Sequence, residues 1–139
     1  MTQLTISKPV AGWATLKLDD DRYYLSYNTN VAYDILKAAY DNYVLYSAPI
    51  ITTFDSEGDG CFYMIFDHQC ISICWCDDNY AKHYYLCSAK EILRQLYAAI
   101  KPYENEWCTF TVDGGYEYMI DFLPCLLKHI EENCPEVTK

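Results

Sequence analysis

The sequence predicts an α+β fold in which a single mainly antiparallel sheet carries three helices, in the order ββαββββαββα. Two patterns indicate this class. Short β-prone runs are joined by turn-forming residues, and three other segments repeat apolar residues at spacings of three and four. The chain has 139 residues, 52 % of them hydrophobic, and no linker interrupts it. We therefore expect one compact domain over residues 1–139.

The first elements are a hairpin and a helix. Residues 13–18 and 22–27 are β-prone and flank Asp19-Asp20-Asp21, which predicts a hairpin with an acidic tip. The apolar spacing then changes to three and four residues, and this predicts a helix over about 30–46. Its candidate caps are Asn28, Thr29 and Asn30, and Pro49 prevents its continuation.

Four strands are predicted next. They cover residues 50–54, 61–66, 70–76 and 80–87. Their connections are rich in Asp, Asn, Gly and Ser, so an antiparallel meander is the simplest arrangement. Because alternate turns of a meander lie at the same end of the sheet, we expect the first and third connections to share one rim.

A second helix begins at the capping box Ser88-Ala89-Lys90-Glu91 and ends before Pro102. Its apolar residues recur on one face. Further along, the pattern predicts a strand at 107–112, a turn at Asp113-Gly114-Gly115, a return strand at 116–120 and a last helix at 123–133.

Charge narrows the classes of partner. Twenty Asp and Glu residues outweigh ten Lys and Arg residues, giving a net charge of −10. Direct nucleic-acid binding is disfavoured, because each phosphate contact needs a cation, whereas a negative field attracts a basic protein. The N-terminus lacks a signal-peptide pattern and no apolar run is long enough for a membrane span. We therefore expect a cytoplasmic protein with reduced cysteines and no membrane association.

One segment contains residue types that zinc prefers: His68, Cys70, Cys74, Cys76, His83 and Cys87. The spacing does not match a zinc site, because Cys74 and Cys76 lie side by side on one strand face. Alternation with Ile71 and Ile73 favours thiols packed between two layers, so no metal or other cofactor is predicted. Cys87 precedes a helix and is the best candidate nucleophile, but His83 lies about 13 Å along the strand.

The same segment resembles the core of the pyruvoyl-dependent S-adenosylmethionine decarboxylases. The resemblance rests on Ile71-Ser72-Ile73, then Tyr80-Ala81, then Cys87 before a helix, over about thirty residues. That family self-cleaves at a Glu-Ser pair, which would fall near His68-Gln69, where this chain has no Ser. The family's catalytic His would fall at Cys74. The resemblance implies at most a catalytically degenerate relative.

Fifteen tyrosines accompany the acidic residues. In the doublets Tyr23-Tyr24 and Tyr84-Tyr85, adjacent strand residues point to opposite faces, so one ring of each pair is expected to leave the core. Exposed Tyr beside carboxylates suits contact with Arg and Lys. The predicted interface consists of Asp55, Glu57, Asp59, Asp77, Asp78, Tyr23, Tyr80 and Tyr84.

These observations favour a non-enzymatic acidic binding protein that inhibits a basic partner. The most specific forms are an immunity protein that neutralises a nuclease toxin and an inhibitor that mimics nucleic acid. The alternatives are a Cys/His-based enzyme or small-molecule binder, including the degenerate decarboxylase-like domain, and a structural or regulatory module whose acidity only confers solubility.

Overall fold

The computed structural model describes residues 1–26, 30–45, 49–56, 60–76, 82–109 and 122–139. The strands are β1 (Leu4–Ile6), β2 (Trp13–Leu18), β3 (Asp21–Ser26), β4 (Ile50–Asp55), β5 (Cys61–Asp67), β6 (Cys70–Trp75) and β7 (Lys82–Leu86). The α-helices are α1 (Val31–Val44), α2 (Ala89–Ile100), α3 (Glu104–Cys108) and α4 (Phe122–Asn133). Short 3-10 turns occupy Lys101–Tyr103 and Pro135–Val137.

The strands form two antiparallel sheets rather than the single sheet that the sequence predicted. One sheet has the order β1-β2-β3 and the other β4-β5-β6-β7, so the hairpin and the meander are confirmed. The sheets meet through isolated hydrogen bonds instead of a ladder. The Ser56 hydroxyl donates to the Tyr24 carbonyl oxygen, and Thr2 N donates to Leu86 O at 3.0 Å. The three-residue β1 is too short to have produced a sequence pattern.

The prediction of a strand at 107–112 is wrong for residues 107–109, the part of this range that the structure describes. Trp107 and Cys108 belong to α3, and Trp107 is buried. α2 ends at Ile100, before Pro102 as predicted, and Pro102 lies in the first positions of a new 3-10 turn, where a missing N–H is tolerated. The remainder of that strand, the turn 113–115 and the return strand 116–120 lie outside the described residues.

The three longer helices confirm the helices predicted from the sequence. Ser88 caps α2 as expected, with its Oγ accepting from Glu91 N at 3.2 Å. The Glu91 carboxylate is bonded to Arg94, three residues along the helix. Asn30 occupies the N-cap position of α1, but its side chain makes no capping bond. None of the described helices has the length and apolar character needed to cross a membrane.

The helices cover one face of the four-stranded sheet. Alternate residues of β5 and β6 point into this layer, and the rings of Phe54 and Phe62 have centroids 3.8 Å apart. α1 packs against α2, α4 and β4, while α2 also packs against β1. A single hydrophobic cluster therefore contains residues from both sheets and from all three longer helices.

A buried glutamine joins the first sheet to the helical layer. Gln95 on α2 is buried, and its Oε1 accepts from Leu4 N at 2.7 Å. Its Nε2 donates to Thr2 O at 3.1 Å. The amide thus satisfies a donor and an acceptor on the inner edge of β1, which would otherwise lose water without replacement.

A second polar bridge joins the two sheets. Tyr85 on β7 donates its hydroxyl to Asp21 Oδ2 at 2.6 Å, and the Tyr23 hydroxyl lies 2.5 Å from that of Tyr85. Since Tyr85 donates to the carboxylate, Tyr23 donates to Tyr85. Burial is the main cause that raises the pKa of Tyr85, and the hydrogen bond to Asp21 adds to it. Both phenols therefore remain protonated donors at neutral pH.

The amide of a buried asparagine in α1 is not satisfied. Asn42 on α1 is fully buried, and neither its Oδ1 nor its Nδ2 has a hydrogen-bond partner. Burying an unpaired amide costs stability without any compensating bond.

The two bonds of Gln95 give a first test. Gln95→Leu keeps the approximate volume but leaves Leu4 N–H unpaired and removes the amide donor to Thr2 O, so the free energy of unfolding is expected to fall by about 2–4 kcal/mol. Urea denaturation measures the change. Gln69→Leu, in an exposed turn, is the control and is expected to stay within about 0.5 kcal/mol of wild type. Equal stability of Gln95→Leu and wild type would contradict the anchoring role.

Asn42 gives a second test, in which the free energy of unfolding is expected to rise instead of fall. Asn42→Leu removes the unpaired amide and is expected to raise the free energy of unfolding by about 1–3 kcal/mol. The exposed Asn133, whose amide is hydrogen-bonded to His129, supplies the control Asn133→Leu, for which no gain is expected. A less stable Asn42→Leu protein would mean that this amide is hydrogen-bonded in solution.

Candidate partner-binding surface

The two acidic connections of the meander leave from the same end of the four-stranded sheet. Asp55, the last residue of β4, pairs with Cys61, the first of β5. Cys61 O in turn accepts from Cys76 N, just after β6, at 2.9 Å. We call this end, defined by Asp55, Cys61 and Cys76, the rim end. The strand ends beside both connections therefore meet as the meander order requires.

The structure brings together only some of the predicted interface residues. Asp55 is half-buried at the rim end, and Tyr84 is 63 % exposed on β7. Tyr23 is 6 % exposed, so its ring belongs to the core. The other predicted interface residues, Glu57, Asp59, Asp77, Asp78 and Tyr80, lie outside the described residues.

The tyrosine doublets behave as alternation requires, with a correction to the member chosen in β3. Tyr24 is 49 % exposed, whereas Tyr23 packs against Phe62 with ring centroids 5.3 Å apart. In β7 the exposed member is Tyr84 and the buried one Tyr85. One ring of each pair leaves the core, so that prediction is confirmed, but Tyr24 replaces Tyr23 as the ring available to a partner.

The face of the four-stranded sheet opposite the helices carries large exposed side chains. We call it the outer face and define it by Ile51, Tyr63, Ser72, Tyr84 and Leu86. Leu86 is 72 % exposed and Ile51 60 % exposed. Ser72 pairs with both Ile65 and Tyr84, which places the rings and aliphatic groups in cross-strand rows. Tyr63 is not among the predicted interface residues, although its position between Phe62 and Met64 already indicated an outward ring.

Thiols also line the outer face. Cys61 and Tyr63 alternate with inward residues of β5, and Tyr63 pairs with Cys74. Cys74 is buried, while Cys70 and Cys76 are half-buried. The predicted alternation along β6 is confirmed, but these thiols lie outside the hydrophobic core cluster and so do not pack between its layers.

The acidic excess is concentrated in the segment that builds this sheet. Residues 49–88 contain Lys82 as their only Lys or Arg. Their six carboxylates belong to Asp55, Glu57, Asp59, Asp67, Asp77 and Asp78. This segment therefore supplies about half of the net negative charge of the chain.

Several cations on the helices are paired with nearby acids. Lys37 lies 2.7 Å from Asp41, and Arg94 is paired with Glu91. Lys101 lies 3.0 Å from Glu104 and 3.3 Å from Glu131. Such exposed pairs add little to stability, but they neutralise charge locally. Positive charge on the helical side therefore does little to offset the field at the sheet.

Cys87 does not have the environment of a nucleophile. It is buried beside Thr2 O and the Gln95 amide, and burial raises the pKa of its thiol, with a further rise from Glu91. A nucleophilic thiol needs the opposite shift. Within the described ranges, no group of three or more Cys, His, Asp or Glu residues could hold a metal ion.

A groove of about 440 Å³ between α1 and α4 also contains a thiol and an imidazole. Exposed Cys125 and His129 lie one helical turn apart on α4. His129 Nδ1 lies 3.2 Å from Asn133 Nδ2, and because an amide nitrogen donates, Nδ1 is the acceptor. Nε2 then carries the proton and lies 2.9 Å from the Tyr40 hydroxyl. Both ring nitrogens are occupied, so His129 is not free to deprotonate Cys125.

Comparisons with known proteins identify no relative: no family model, curated protein or solved structure matches the chain.

The thiol environments predict selective labelling. In the native protein, N-ethylmaleimide is expected to modify Cys125 within minutes and Cys87 at least tenfold more slowly, because Cys87 is buried and its raised pKa leaves less thiolate. Peptide mass spectrometry at increasing times measures both rates. Labelling in denaturant, where the two are expected to react alike, is the control. Faster native labelling of Cys87 than of Cys125 would contradict the structural role given to Cys87.

Proposed function

We propose that this protein is a non-enzymatic binding protein that inhibits a basic partner, using the rim end and outer face of its four-stranded sheet. The observation that carries the proposal is the coincidence of two features on one sheet. Its segment has six carboxylates and a single lysine, and its outer face exposes Tyr63, Tyr84, Ile51 and Leu86.

Electrostatic attraction would act on the partner before the two surfaces touch. A surface with a large excess of one sign attracts a partner of opposite sign over roughly a Debye length, about 8–10 Å at moderate salt. The acids of residues 49–88 have few cations near them in sequence, whereas Asp41 and Glu104 on the helices are each paired with a lysine. The sheet is therefore the side expected to guide a cationic surface into place.

The exposed rings would then supply contact area. Tyr is a preferred interface residue, because its stiff ring buries apolar surface while its hydroxyl keeps a polar partner. Tyr84 and Leu86 are on the edge strand β7, and Tyr63 is on the central strand β5. Arg and Lys side chains of the partner can lie over these rings as cation–π contacts, and Asp55 at the rim end lies on the strand next to that of Tyr63.

A nucleic-acid enzyme is the class of basic partner that fits best. Such enzymes hold phosphates with Lys and Arg, so an acidic surface that covers the cleft competes directly with substrate. A protein that neutralises a nuclease toxin in the cell that makes the toxin is the most specific form of this proposal. Inhibition by occupancy requires no catalytic group in the inhibitor.

Charge variants and affinity capture test the proposal. The rim variant carries Asp55→Asn, Glu57→Gln, Asp59→Asn, Asp77→Asn and Asp78→Asn, which changes the net charge from −10 to −5. Wild type is expected to capture a basic protein from host lysate at low salt and, once that protein is purified, to inhibit its nuclease activity. The rim variant is expected to associate at least about tenfold more slowly, with a flatter salt dependence.

The matched control changes the same amount of charge elsewhere. It neutralises five acids outside residues 49–88: the exposed Asp19, Asp20, Glu132 and Glu136 and the half-buried Glu106. The control is expected to retain most of the association rate. Equal rates for the rim variant and wild type, or a captured partner without net positive charge, would overturn the proposal.

A further inference from the structure

Two thiols at the rim end lie in contact. Cys61 Sγ and Cys76 Sγ are 3.1 Å apart, on adjacent antiparallel strands. The neighbouring pair Phe62 and Trp75 fixes their register, and Cys76 N donates to Cys61 O. Directly hydrogen-bonded residues of such strands have Cα atoms about 5.5 Å apart. That separation lies within the range that a disulfide spans.

We propose that Cys61 and Cys76 form a redox-sensitive pair that is reversibly oxidised to a disulfide by a low-molecular-weight disulfide of the glutathione type. Both thiols are half-buried, so a small oxidant can reach them, unlike Cys87 and Cys134 in the core. In a reducing compartment such bonds are transient and serve sensing or regulation. This inference does not depend on the proposed partner.

The exchange balances as two successive substitutions. One of the two cysteine thiolates attacks a sulfur of glutathione disulfide, forming a mixed disulfide and releasing one glutathione thiolate. The other cysteine thiolate attacks the protein sulfur of the mixed disulfide and releases the second glutathione. One S–S bond forms as one breaks, the protein loses two electrons and glutathione disulfide gains them. The two protons of the protein thiols end on the two glutathione molecules.

The other thiols of the outer face are placed less favourably for this reaction. Cys70 lies toward the opposite end of β6, with its Sγ 3.9 Å from Ser72 Oγ. Cys74 is buried and lies opposite Tyr63 rather than opposite a cysteine. Cys76 also shares a hydrogen bond with the Tyr63 hydroxyl, which places a proton donor or acceptor beside the reacting sulfur.

Oxidation would cross-link the two strand ends from which the acidic connections leave. The bond would link β5 to β6 covalently at the rim end, where Asp55 completes the same cross-strand row. The redox state of the surroundings would then act on the part of the sheet with the highest density of acids.

The test equilibrates the full-length protein with mixtures of reduced and oxidised glutathione. Reactions are quenched in acid, free thiols are blocked with N-ethylmaleimide, and the protein is cut on the amino side of Asp. Cleavage at Asp59, Asp67 and Asp77 places Cys61 in peptide 59–66 and Cys76 in peptide 67–76. With increasing oxidised glutathione, we expect these two peptides to become linked, with fragmentation locating the bond at Cys76. Two of the eight thiols are then lost, and dithiothreitol restores both.

Variants provide the controls. Cys76→Ser is expected to lower the linked fraction at least tenfold, whereas Cys70→Ser, on the same face, leaves it unchanged. The wild-type peptide map stands even if a variant fails to fold. The proposal is overturned if Cys61 and Cys76 stay unlinked at every glutathione ratio. The proposal is equally overturned if Cys61 forms a disulfide with Cys70 or Cys74, or if the reaction of Cys61 stops at a stable mixed disulfide with glutathione.

Discussion

The two-residue period of the four-stranded sheet is the constraint on which the rest of this structure depends. It directs Phe62, Met64 and Phe66 toward the helices and therefore directs Tyr63 and its neighbours outward. A shift of one residue would exchange the two faces of a strand, exposing phenylalanines and burying carboxylates. Because the aromatic core holds this register, the exposed rings, the thiol pair and the strand ends at the rim end all keep fixed relative positions.

Hydrogen bonds from side chains link the sheets and helices where the backbone ladders end. The two sheets are not joined by a continuous ladder in the described part of the chain, and polar side chains link them and the helices instead. Gln95 supplies both a donor and an acceptor to β1, while Tyr85 links Tyr23 to Asp21 across the sheets. These buried bonds hold the inner side rigidly. The outer face can then carry apolar side chains that are exposed rather than packed in the core.

Sequence patterns predicted the parts of the fold whose signals are local. The period change at residue 30, the Ser88 cap and the Asp-rich turns identified three helices and the meander without tertiary information. Sequence patterns did not predict the elements whose structure depends on residues far away in the chain. β1 is held by Gln95, ninety-one positions beyond Leu4, and Trp107 lies with its ring buried in a short helix instead of a strand. For the candidate surface, alternation predicted one outward ring in each doublet, but choosing Tyr24 over Tyr23 required knowing which face the helices cover.

The central claim is that a basic partner contacts this sheet at its acidic end. NMR chemical-shift mapping of the isotope-labelled protein, with the captured partner added stepwise, locates the contact most directly. We expect the largest shifts at Asp55, Cys61, Tyr63, Cys76 and Tyr84, with small ones across α1, α2 and α4. Shifts concentrated on the helices, with the sheet residues unchanged, would contradict this account.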